Sequence, residues 1–431
     1  MVRRPSMRLF ERPVDLRPDA FELALRLSDR PGLVLLLDAT GRRPSYVACD
    51  PIAQRDALDP EPNLVLDPAL PTLARTPRWV GLLPYEAFRT LERPGRGRLT
   101  DSRAAPHLER LVWMRYGAVV ECAERARIVG DHADAVAILA RLVSREPLAC
   151  PASFVLRRPV EAEALHRQRI EKALELIAAG EVYQVNLARR FELDVDGHPL
   201  GVLERWGELA KTAFAAVIRA PGADVVSSSP ELFVELEADG TVRTSPIKGT
   251  RPRGSSGAAD ARLVEELGAN AKERAELTMI LDVERNDLGR VAVPGSVSLE
   301  RAPFVFSLPS LHHRAATLVA RLRPGVSRAE LLAAMTPSGS VTGAPKVRAM
   351  ELIAELEPSR RGLYTGAYGW LAHDGGLRLG MAIRVLSVRQ GEGHYHAGGG
   401  IVADSDPRAE ILETGWKAVQ LGRLGALGAA G

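Results

Sequence analysis

The stretch DVVSSSPELFVELEADGTVRTSPIKG, residues 224–249, decides the fold class of this 431-residue chain. Apolar and polar residues alternate on both sides of Asp239 and Gly240, a dipeptide typical of tight hairpin turns. The stretch therefore predicts two strands joined by a hairpin turn. Since a hairpin pairs its strands in opposite directions, we expect antiparallel sheet.

Further strands and long helices are predicted on both sides of this hairpin. Strand patterns occupy residues 182–193, 214–220, 362–388 and 394–404, and two more occur within 32–48 and 78–86. Helical periodicity covers residues 160–179, 269–289, 331–335, 346–358 and 406–427. Many strands mixed with a few long helices predict an α+β protein in which antiparallel sheets pack beneath helices.

Composition excludes several classes of function. Hydrophobic residues make up 46% of the chain and charged residues 26%, as in soluble globular proteins. The net charge of +3, without a dense basic run, argues against a nucleic-acid partner. The apolar runs are too short to cross a bilayer, and the N-terminus lacks the apolar core of a signal peptide. Three scattered cysteines, Cys49, Cys122 and Cys150, form no disulfide or metal-binding pattern, so we expect a cytoplasmic protein.

Lys248 stands out because only six of the 57 basic residues are lysines. Arginine keeps its proton, whereas a desolvated lysine can lose it and act as a nucleophile. Lys248 follows a predicted strand and opens a turn rich in Gly, Pro and Arg. Arg251 and Arg253 would lower its pKa by like-charge repulsion, and burial would add to that shift. A solvated surface lysine is the alternative interpretation.

Two predicted helices carry carboxylates three residues apart, Glu273 with Glu276 and Glu410 with Glu413. This spacing places each pair on one helix face. Solvent-exposed faces would explain either pair alone. The apolar surroundings of Glu276 and the glycine-rich segment before Glu410 favour a site instead. If the two helices converge, their like charges require a cation, and hard oxygen ligands suit Mg²⁺.

Several other residues favour binding of an anion. The glycines at 398–400 expose backbone N–H groups, although a tight strand crossing would use the same residues. The loop at 337–346 adds hydroxyl groups before a helix. Arg384 is predicted in the middle of a strand, where its fork suits a carboxylate. His312 or His313 could act as an acid or base, or could be an ordinary buried histidine. Together these features predict a small dianionic substrate.

Seven motifs now identify a resemblance. PELF, PIKGTRPRG, AELTMILDVERNDLGRV, PSGSVTGAPKVRAMELI, RGLYTGAYGWL, AIRVL and GGGIVADSDPRAEILETGWKA occur in this order between residues 161 and 421. The chain thereby resembles the chorismate-utilising enzyme family. Earlier residues resemble it more weakly, through LLLDAT and RWVGLLPYEAF. The resemblance implies a two-lobed α/β sandwich, with residues 1–155 as its N-terminal part, 156–425 as the chorismate-binding catalytic region and 426–431 as a disordered tail.

The resemblance also implies the site and its roles. Chorismate is a ring dicarboxylate, and the family's Mg²⁺ would be held by Glu276 and Glu413, with Glu273 and Glu410 beside it. The catalytic residues would be Lys248, Glu231 as a general acid near the C4 hydroxyl, and His313 as a base or acid near the ring. The substrate would be bound by Ser340, Thr342, Tyr364, Arg384, Gly398, Gly399, Gly400 and Lys417.

Two positions separate branches of the family. Where anthranilate synthases, which aminate C2, typically have alanine, this chain has Lys248. The resemblance then implies amination of chorismate at C4, through a covalent Lys248 intermediate, for para-aminobenzoate and folate biosynthesis. Gln184 stands where isochorismate and salicylate synthases have a lysine base, which disfavours water as the nucleophile.

The alternatives are anthranilate synthase component I and a non-catalytic relative, and the charged site residues disfavour the latter. Because no glutaminase triad is recognisable, ammonia would come from a separate glutamine amidotransferase subunit. The chain departs from the family pattern at Leu277, where His or Asn is frequent, and at Ser338, where the loop usually reads PGGS. The segments LLLDAT and LAKTAFAAV differ from the tryptophan-binding motifs of several relatives.

Overall fold

The computed structural model describes residues 8–14, 19–89 and 103–422. The predicted tail, 426–431, lies outside these residues. The α-helices in the described part are α1 (Ala20–Arg26), α2 (Tyr85–Arg89), α3 (Ala133–Leu142), α4 (Glu163–Ala178), α5 (Pro199–Trp206), α6 (Gly257–Ala269), α7 (Ala271–Gly289), α8 (Arg328–Met335), α9 (Lys346–Leu356) and α10 (Pro407–Gly422). None of them has the length and apolar character needed to cross a membrane.

The strands form two sheets. The chain up to residue 220 contributes β1 (Phe10–Pro13), β2 (Val34–Leu37), β3 (Ser45–Ala48), β4 (Ala53–Arg55), β5 (Pro77–Leu83), β6 (Val112–Arg115), β7 (Ala118–Cys122), β8 (Ala126–Gly130), β9 (Ala152–Pro159), β10 (Gln184–Gly197) and β11 (Phe214–Ala220). The remainder contributes β12 (Ala223–Ser229), β13 (Leu232–Leu236), β14 (Thr241–Ser245), β15 (Ile247–Pro252), β16 (Ser298–Ser307), β17 (Leu311–Arg321), β18 (Gly343–Ala344), β19 (Ala367–Ala372), β20 (Leu377–Met381), β21 (Val385–Arg389) and β22 (Glu392–Ile401).

The first sheet has twelve strands in the order β1-β8-β7-β3-β2-β11-β12-β21-β22-β10-β18, with β9 also paired to β10. The second has ten strands in the order β15-β17-β14-β13-β20-β19-β5-β6-β4, with β16 also paired to β17. The β13–β14 hairpin turns at Asp239 and Gly240, as predicted, and its strands are antiparallel. The predicted α+β class is confirmed.

Apolar side chains hold the sheets together and attach the helices outside them. Val80 and Ile218, from different sheets, belong to one buried cluster between the two layers. Leu23, Leu139 and Leu203 attach α1, α3 and α5 to the first sheet. On the second sheet, α7 and α8 pack through a further buried cluster. Each layer thus buries apolar surface against its neighbour, and burial of apolar surface is the dominant stabilising term in folding.

Both sheets contain strands from each side of residue 155. The first sheet combines β1–β3, β7 and β8 with later strands, and the second combines β4–β6 with later strands. Neither sheet is complete without residues 1–155. We therefore propose that these residues and 156–425 form one folding unit.

Two of the points where the chain crosses between the sheets lie next to each other. The first crossing, residues 230–231, joins β12 in the first sheet to β13 in the second. The second crossing, residues 382–384, joins β20 in the second sheet to β21 in the first. Backbone hydrogen bonds tie them together, since Ser228 N donates to Arg384 O at 3.1 Å and Met381 N donates to Glu231 O at 3.0 Å. The crossings therefore hold Glu231 and Arg384 at the junction of the two layers.

The prediction of Arg384 in the middle of a strand is wrong. Arg384 lies between strands, with a φ of 49°, in the left-handed region that non-glycine residues rarely adopt. The apolar run around it changes from one sheet to the other, so the segment at 362–388 is a hairpin followed by a strand of the opposite layer.

Candidate active site

Lys248 lies in a bulge of β15. The pairing of β15 with β17 shifts register between Ile247 and Thr250, so Lys248 and Gly249 form the irregular segment. Gly249 has a φ of 88°, which glycine adopts without steric cost. A bulge redirects side chains relative to a regular strand. The prediction that Lys248 opens a turn is therefore wrong, since it lies within a strand.

Replacing Gly249 with alanine is expected to lower the free energy of unfolding by about 1–3 kcal/mol. Besides the unfavourable φ, a Cβ there would lie 2.8 Å from Glu273 Oε2 and 2.9 Å from Leu267 Cδ1. Urea denaturation measures the change. Gly268→Ala in α6 is the matched control, because its Cβ would meet only Val305, at 3.9 Å, and alanine favours a helix. Equal stability of the two variants would contradict the expectation.

The Lys248 amine contacts the loop that follows α8. Its Nζ donates to the Ser340 carbonyl at 3.1 Å. Burial lowers the pKa of Lys248 and Lys417 adds repulsion, while Glu276 and Glu231 oppose the shift. The site therefore favours the neutral amine relative to a solvated lysine.

The arginines that follow Lys248 do not supply the predicted repulsion. Arg251 donates to Glu266 at 3.0 Å and lies 3.3 Å from Glu273, so its charge faces carboxylates. Arg253 forms an ion pair with Asp260 at 2.7 Å. The like charge that lowers the pKa of Lys248 comes from Lys417, which is far away in the sequence.

Glu231, on the first crossing, is a buried carboxyl that is 3% exposed. Ser340 Oγ donates to its Oε1 at 2.9 Å. Burial raises the pKa of Glu231 to about 7, against the opposing effects of this hydrogen bond and of Lys248. A carboxyl that holds a proton near neutral pH can serve as a general acid. Ser340, predicted to bind the substrate, thus forms a direct hydrogen bond with the Glu231 side chain.

Arg384 and His313 contact each other. Arg384 Nη2 lies 3.0 Å from His313 Nε2, and since guanidinium can only donate, Nε2 must accept. Burial, and then Arg384, lowers the pKa of His313 well below its usual value, so the ring is neutral. Within the described residues, Arg384 Nη1 is buried without a hydrogen-bond partner. An anion could accept from this donor.

His312, the neighbouring candidate, faces elsewhere. Its Nδ1 lies 2.7 Å from Ser307 Oγ and its Nε2 lies 2.9 Å from Asp260 Oδ1. Asp260 is the partner of Arg253 outside the site. Only His313 of this pair therefore joins Arg384.

The glycine run of β22 forms a close-packed wall. A Cβ on Gly398 would lie 2.8 Å from Tyr364 Oη, and one on Gly399 would lie 3.0 Å from Glu410 Oε2. Lys417 Nζ donates to the Gly398 carbonyl at 2.8 Å. The structure thus brings Tyr364, Lys417 and these glycines together, three of the features to which the resemblance assigns substrate binding.

Gln184 lies against the third glycine. A Cβ on Gly400 would meet its side-chain amide at 3.1 Å. Gln184 is fully buried, yet neither amide atom has a hydrogen-bond partner in the described part of the chain. Thr342, in contrast, donates its hydroxyl to the Ser338 carbonyl at 2.8 Å. Gln184 therefore has unused hydrogen-bonding capacity at this wall, whereas Thr342 stabilises its own loop.

Carboxylates of α7 and α10 act on one another across the site. Burial raises the pKa of Glu276, and both Glu273 and Glu410 add to the rise. Burial, followed by the Glu413 charge, raises the pKa of Glu410. Glu413 itself pairs with Lys417 at 2.7 Å. Repulsion among hard oxygen ligands fits a divalent cation such as Mg²⁺.

Another cluster of possible ligands lies where β22 begins and includes a histidine from the segment before β6. One nitrogen each of His107 and His394 and one oxygen of Glu392 lie within 4.8 Å of one another. Burial lowers the pKa of both histidines, and Arg190 and Arg389 lower it further for His107. These guanidinium groups disfavour a cation. The α7 and α10 carboxylates therefore remain the better match to Mg²⁺.

Sequence reasoning missed Glu284, a carboxyl of α7 that is 2% exposed. Ser338 Oγ donates to one of its oxygens at 2.8 Å and Thr244 Oγ1 donates to the other at 2.9 Å. Its position in the helical repeat could have shown that it is buried, because Glu284 falls on the same helix face as the buried Leu277, Ile280 and Leu288.

Comparisons with known proteins agree with this fold. A family model described as chorismate binding enzyme matches residues 39–422. Aminodeoxychorismate synthase component 1 of Salmonella typhimurium is 44% identical over 236 residues, which cover 55% of this chain and 52% of that protein. The Escherichia coli protein of the same name is 40% identical over 57% of this chain and 54% of its own length. Anthranilate synthase component 1 of Streptomyces coelicolor is 43% identical over 58% and 49%.

The chain thus spans about half the length of the curated relatives it matches. The menaquinone-specific isochorismate synthase of Escherichia coli superposes with a TM-score of 0.79 and 21% identity, covering 97% of this chain and 95% of that one. Anthranilate synthase component I from Streptococcus pneumoniae gives 0.73 and 24%, covering 98% and 93%. These likenesses confirm the two-sheet fold. Because the family model also matches most of the sequence, the protein belongs to the chorismate binding enzyme family.

Proposed function

We propose that this chain aminates chorismate at C4, as the chorismate-binding component of an aminodeoxychorismate synthase. The product would be 4-amino-4-deoxychorismate, used to make para-aminobenzoate and folate. The names of several relatives support this assignment. The observation that carries it is the position of the Lys248 amine, whose pKa is lowered by burial and which interacts electrostatically with Glu231.

Substrate binding begins at Arg384. A substrate carboxylate would accept from the unpaired Nη1 and draw the guanidinium away from His313. Tyr364, Lys417 and the glycines at 398–400 would surround the same carboxylate. Loss of the contact with Arg384 would free His313 Nε2 to accept a proton.

Amination then needs two displacements. The lone pair of Lys248 Nζ attacks C2, the two ring double bonds shift, and the C4–O bond breaks. Glu231 gives its proton to the departing hydroxyl, which leaves as water. Ammonia next attacks C4, the double bonds shift back, and the C2–N bond breaks, which releases Lys248 as an amine. Two displacements explain why the new nitrogen is found at C4.

Glu276 and Glu413, with Glu273 and Glu410 beside them, would hold Mg²⁺. When bound, the ion would neutralise a substrate carboxylate and fix the ring. The remaining carboxylate charge would then be balanced by Arg384 and the neighbouring backbone N–H groups.

Product identification tests the proposal. The chain is incubated with chorismate, ammonium and Mg²⁺, and products are compared with standards by chromatography and mass spectrometry. We expect 4-amino-4-deoxychorismate. The second candidate is anthranilate synthase component I, because anthranilate synthases are similarly close relatives. Anthranilate as the main product would establish that alternative and overturn the first.

Free ammonium is expected to support amination, whereas glutamine should do so only after a glutaminase subunit is added. Glutamine hydrolysis needs a nucleophilic thiolate, but Cys49, Cys122 and Cys150 are all buried. Burial raises the pKa of Cys49, and it raises that of Cys122 to about 12. The measurement is product formation with ammonium, with glutamine, and with glutamine plus partner. Glutamine-dependent product from this chain alone would contradict a separate ammonia source.

A further inference from the structure

A row of hydroxyl groups connects Glu284 to Glu231. Ser338 Oγ lies 2.8 Å from Glu284 Oε1 and 3.0 Å from Ser340 Oγ. Ser340 Oγ lies 2.9 Å from Glu231 Oε1. Both serines and both carboxyls are buried, so the row is shielded from solvent. Every link is within ordinary hydrogen-bond distance, which makes the row continuous from one carboxyl to the other.

The central link belongs to this chain in particular. Ser338 occupies a position where the loop usually has glycine in the family that this chain resembles, and glycine has no hydroxyl. The same position faces Glu284, an acid on the apolar face of α7. Without the hydroxyl of Ser338 the two carboxyls would not be connected.

Each serine can both donate and accept, so the row has two complementary arrangements. In one, Glu231 carries the proton and donates to Ser340, Ser340 donates to Ser338, and Ser338 donates to the Glu284 carboxylate. In the other, Glu284 carries the proton and every bond runs the opposite way. Moving three protons by one place converts one arrangement into the other, with no net charge created.

We propose that Glu284 is a proton reservoir that reprotonates Glu231 through Ser338 and Ser340. The inference rests on the proposed function, in which Glu231 protonates the leaving hydroxyl. Before that step both carboxyls carry a proton. Afterwards Glu231 is an anion, and the three-proton shift restores its proton at the expense of Glu284, which becomes the anion. The balance closes because entering ammonium loses a proton to become ammonia, and that proton returns to the pair. Glu284 acts through Glu231 and is therefore a positioning residue.

The electrostatics of the row are compatible with a proton that stays on the carboxyl pair after Glu231 has given up its own. Lys248 and Arg384 act on Glu231 and favour its charged form. Burial raises the pKa of Glu284 to about 8, to which the charges of Glu231 and Asp287 contribute, while its hydroxyl partners oppose the rise. At neutral pH the carboxyl pair thus keeps a proton, and it loses the last one only as the pH rises past the raised values.

The activity test compares Glu284→Gln and Ser338→Ala with the unmodified chain. For each, kcat for the 4-amino product is measured from pH 6 to pH 9. Without the Glu284 carboxyl or the Ser338 hydroxyl, Glu231 should lose its proton at a lower pH. We expect the pH at which kcat falls on the alkaline side to decrease by about one pH unit. At pH values above that point, kcat should be roughly tenfold lower than in the unmodified chain, while KM for chorismate should not change.

Ser245→Ala is the matched control, because Ser245 lies on β14 next to Thr244 but donates to the Ala316 carbonyl outside the row. Its profile should coincide with that of the unmodified chain. The proton inventory in mixed H₂O and D₂O should be curved for the unmodified chain and linear for Ser338→Ala. Alkaline limbs that stay in place in both row variants would overturn the proposal, and Ser338→Ala keeps the test valid should Glu284→Gln not fold.

Infrared spectroscopy separates this inference from the proposed function. Without substrate, the carbonyl stretch of a protonated buried carboxyl should be present at pH 7, and Ser338→Ala should change its frequency and its titration. If no 4-amino product forms while this signal behaves as expected, the proposed function fails and the shared proton stands. If product forms but neither the signal nor the pH profile responds to Ser338→Ala, the shared proton fails alone.

Discussion

Replacing Lys248 with arginine or alanine is expected to reduce formation of the 4-amino product by about 10³-fold or more, as for loss of a covalent nucleophile. Arginine keeps the positive charge but guanidinium is not a nucleophile, so charge alone should not rescue activity. The amine is held at the Ser340 carbonyl in a setting where burial favours its neutral form. Both substitutions remove that amine while leaving the bulge formed by Gly249.

The covalent bond itself is tested by mass spectrometry of enzyme quenched during turnover. An adduct of the substrate ring on Lys248 is expected in the unmodified chain and not in either variant. Lys172→Arg is the control, since Lys172 is an exposed residue that pairs with Glu175 on α4. Undiminished 4-amino product from Lys248→Ala would mean that the lysine is only a binding charge.

Lys248→Ala should also change the product. The variant has the alanine that is typical of anthranilate synthases, so ammonia can attack C2 directly while the C4 hydroxyl leaves. We expect a small amount of product aminated at C2, measured by chromatography against an authentic standard. Only C4-aminated product in this variant would argue against control of regiochemistry by Lys248.

Glu276→Gln and Glu413→Gln are each expected to lower turnover by about 10³-fold and to abolish its dependence on Mg²⁺. An amide oxygen keeps the size of the side chain but removes the charge that balances a divalent cation. Burial and repulsion already raise the pKa of Glu276, so its removal should not destabilise the fold. Turnover against Mg²⁺ concentration, together with urea denaturation, measures both effects.

Asp282→Asn provides the control on the same helix. Asp282 is exposed and pairs with Arg285 one turn away, at 2.6 Å. Its substitution should change turnover by less than about twofold, as expected of an exposed ion pair. Full activity of the unmodified chain in excess chelator would refute the metal requirement.

The sequence predicted where helices and strands lie better than it predicted which strands are neighbours in a sheet. The turn at Asp239 and Gly240, the helix at 160–179 and the long helix ending at Gly289 are local patterns, and the structure confirms them. The change of sheet at Glu231 and Arg384 was not predictable, because apolar periodicity does not tell which sheet a strand joins. The structure shows instead that strands far apart in the sequence are neighbours.

The same limit applies to the candidate site. The carboxylates of α7 and α10 were found because helical spacing places them on one face. Burial, one of the two causes expected to lower the pKa of Lys248, is the larger one in the structure, but the repelling charge is Lys417 and not Arg251 or Arg253, which are close in sequence. Glu284 was missed because its meaning depends on Ser338, which lies 54 positions away. Pairwise chemistry of this kind requires tertiary structure.

The pairing of β10 with β22 gives the order in which the site can assemble. Ala188 lies opposite Gly398, so the two strands must meet across a loop of about two hundred residues. Closing so long a loop carries an entropic penalty before any contact is gained, and such pairings form slowly. The glycine wall and the α10 carboxylates therefore belong to the last stage of folding. Pulse-labelling hydrogen exchange should find the β13–β14 hairpin protected first and the β22 amides protected last, so partly folded chains would lack the catalytic pocket.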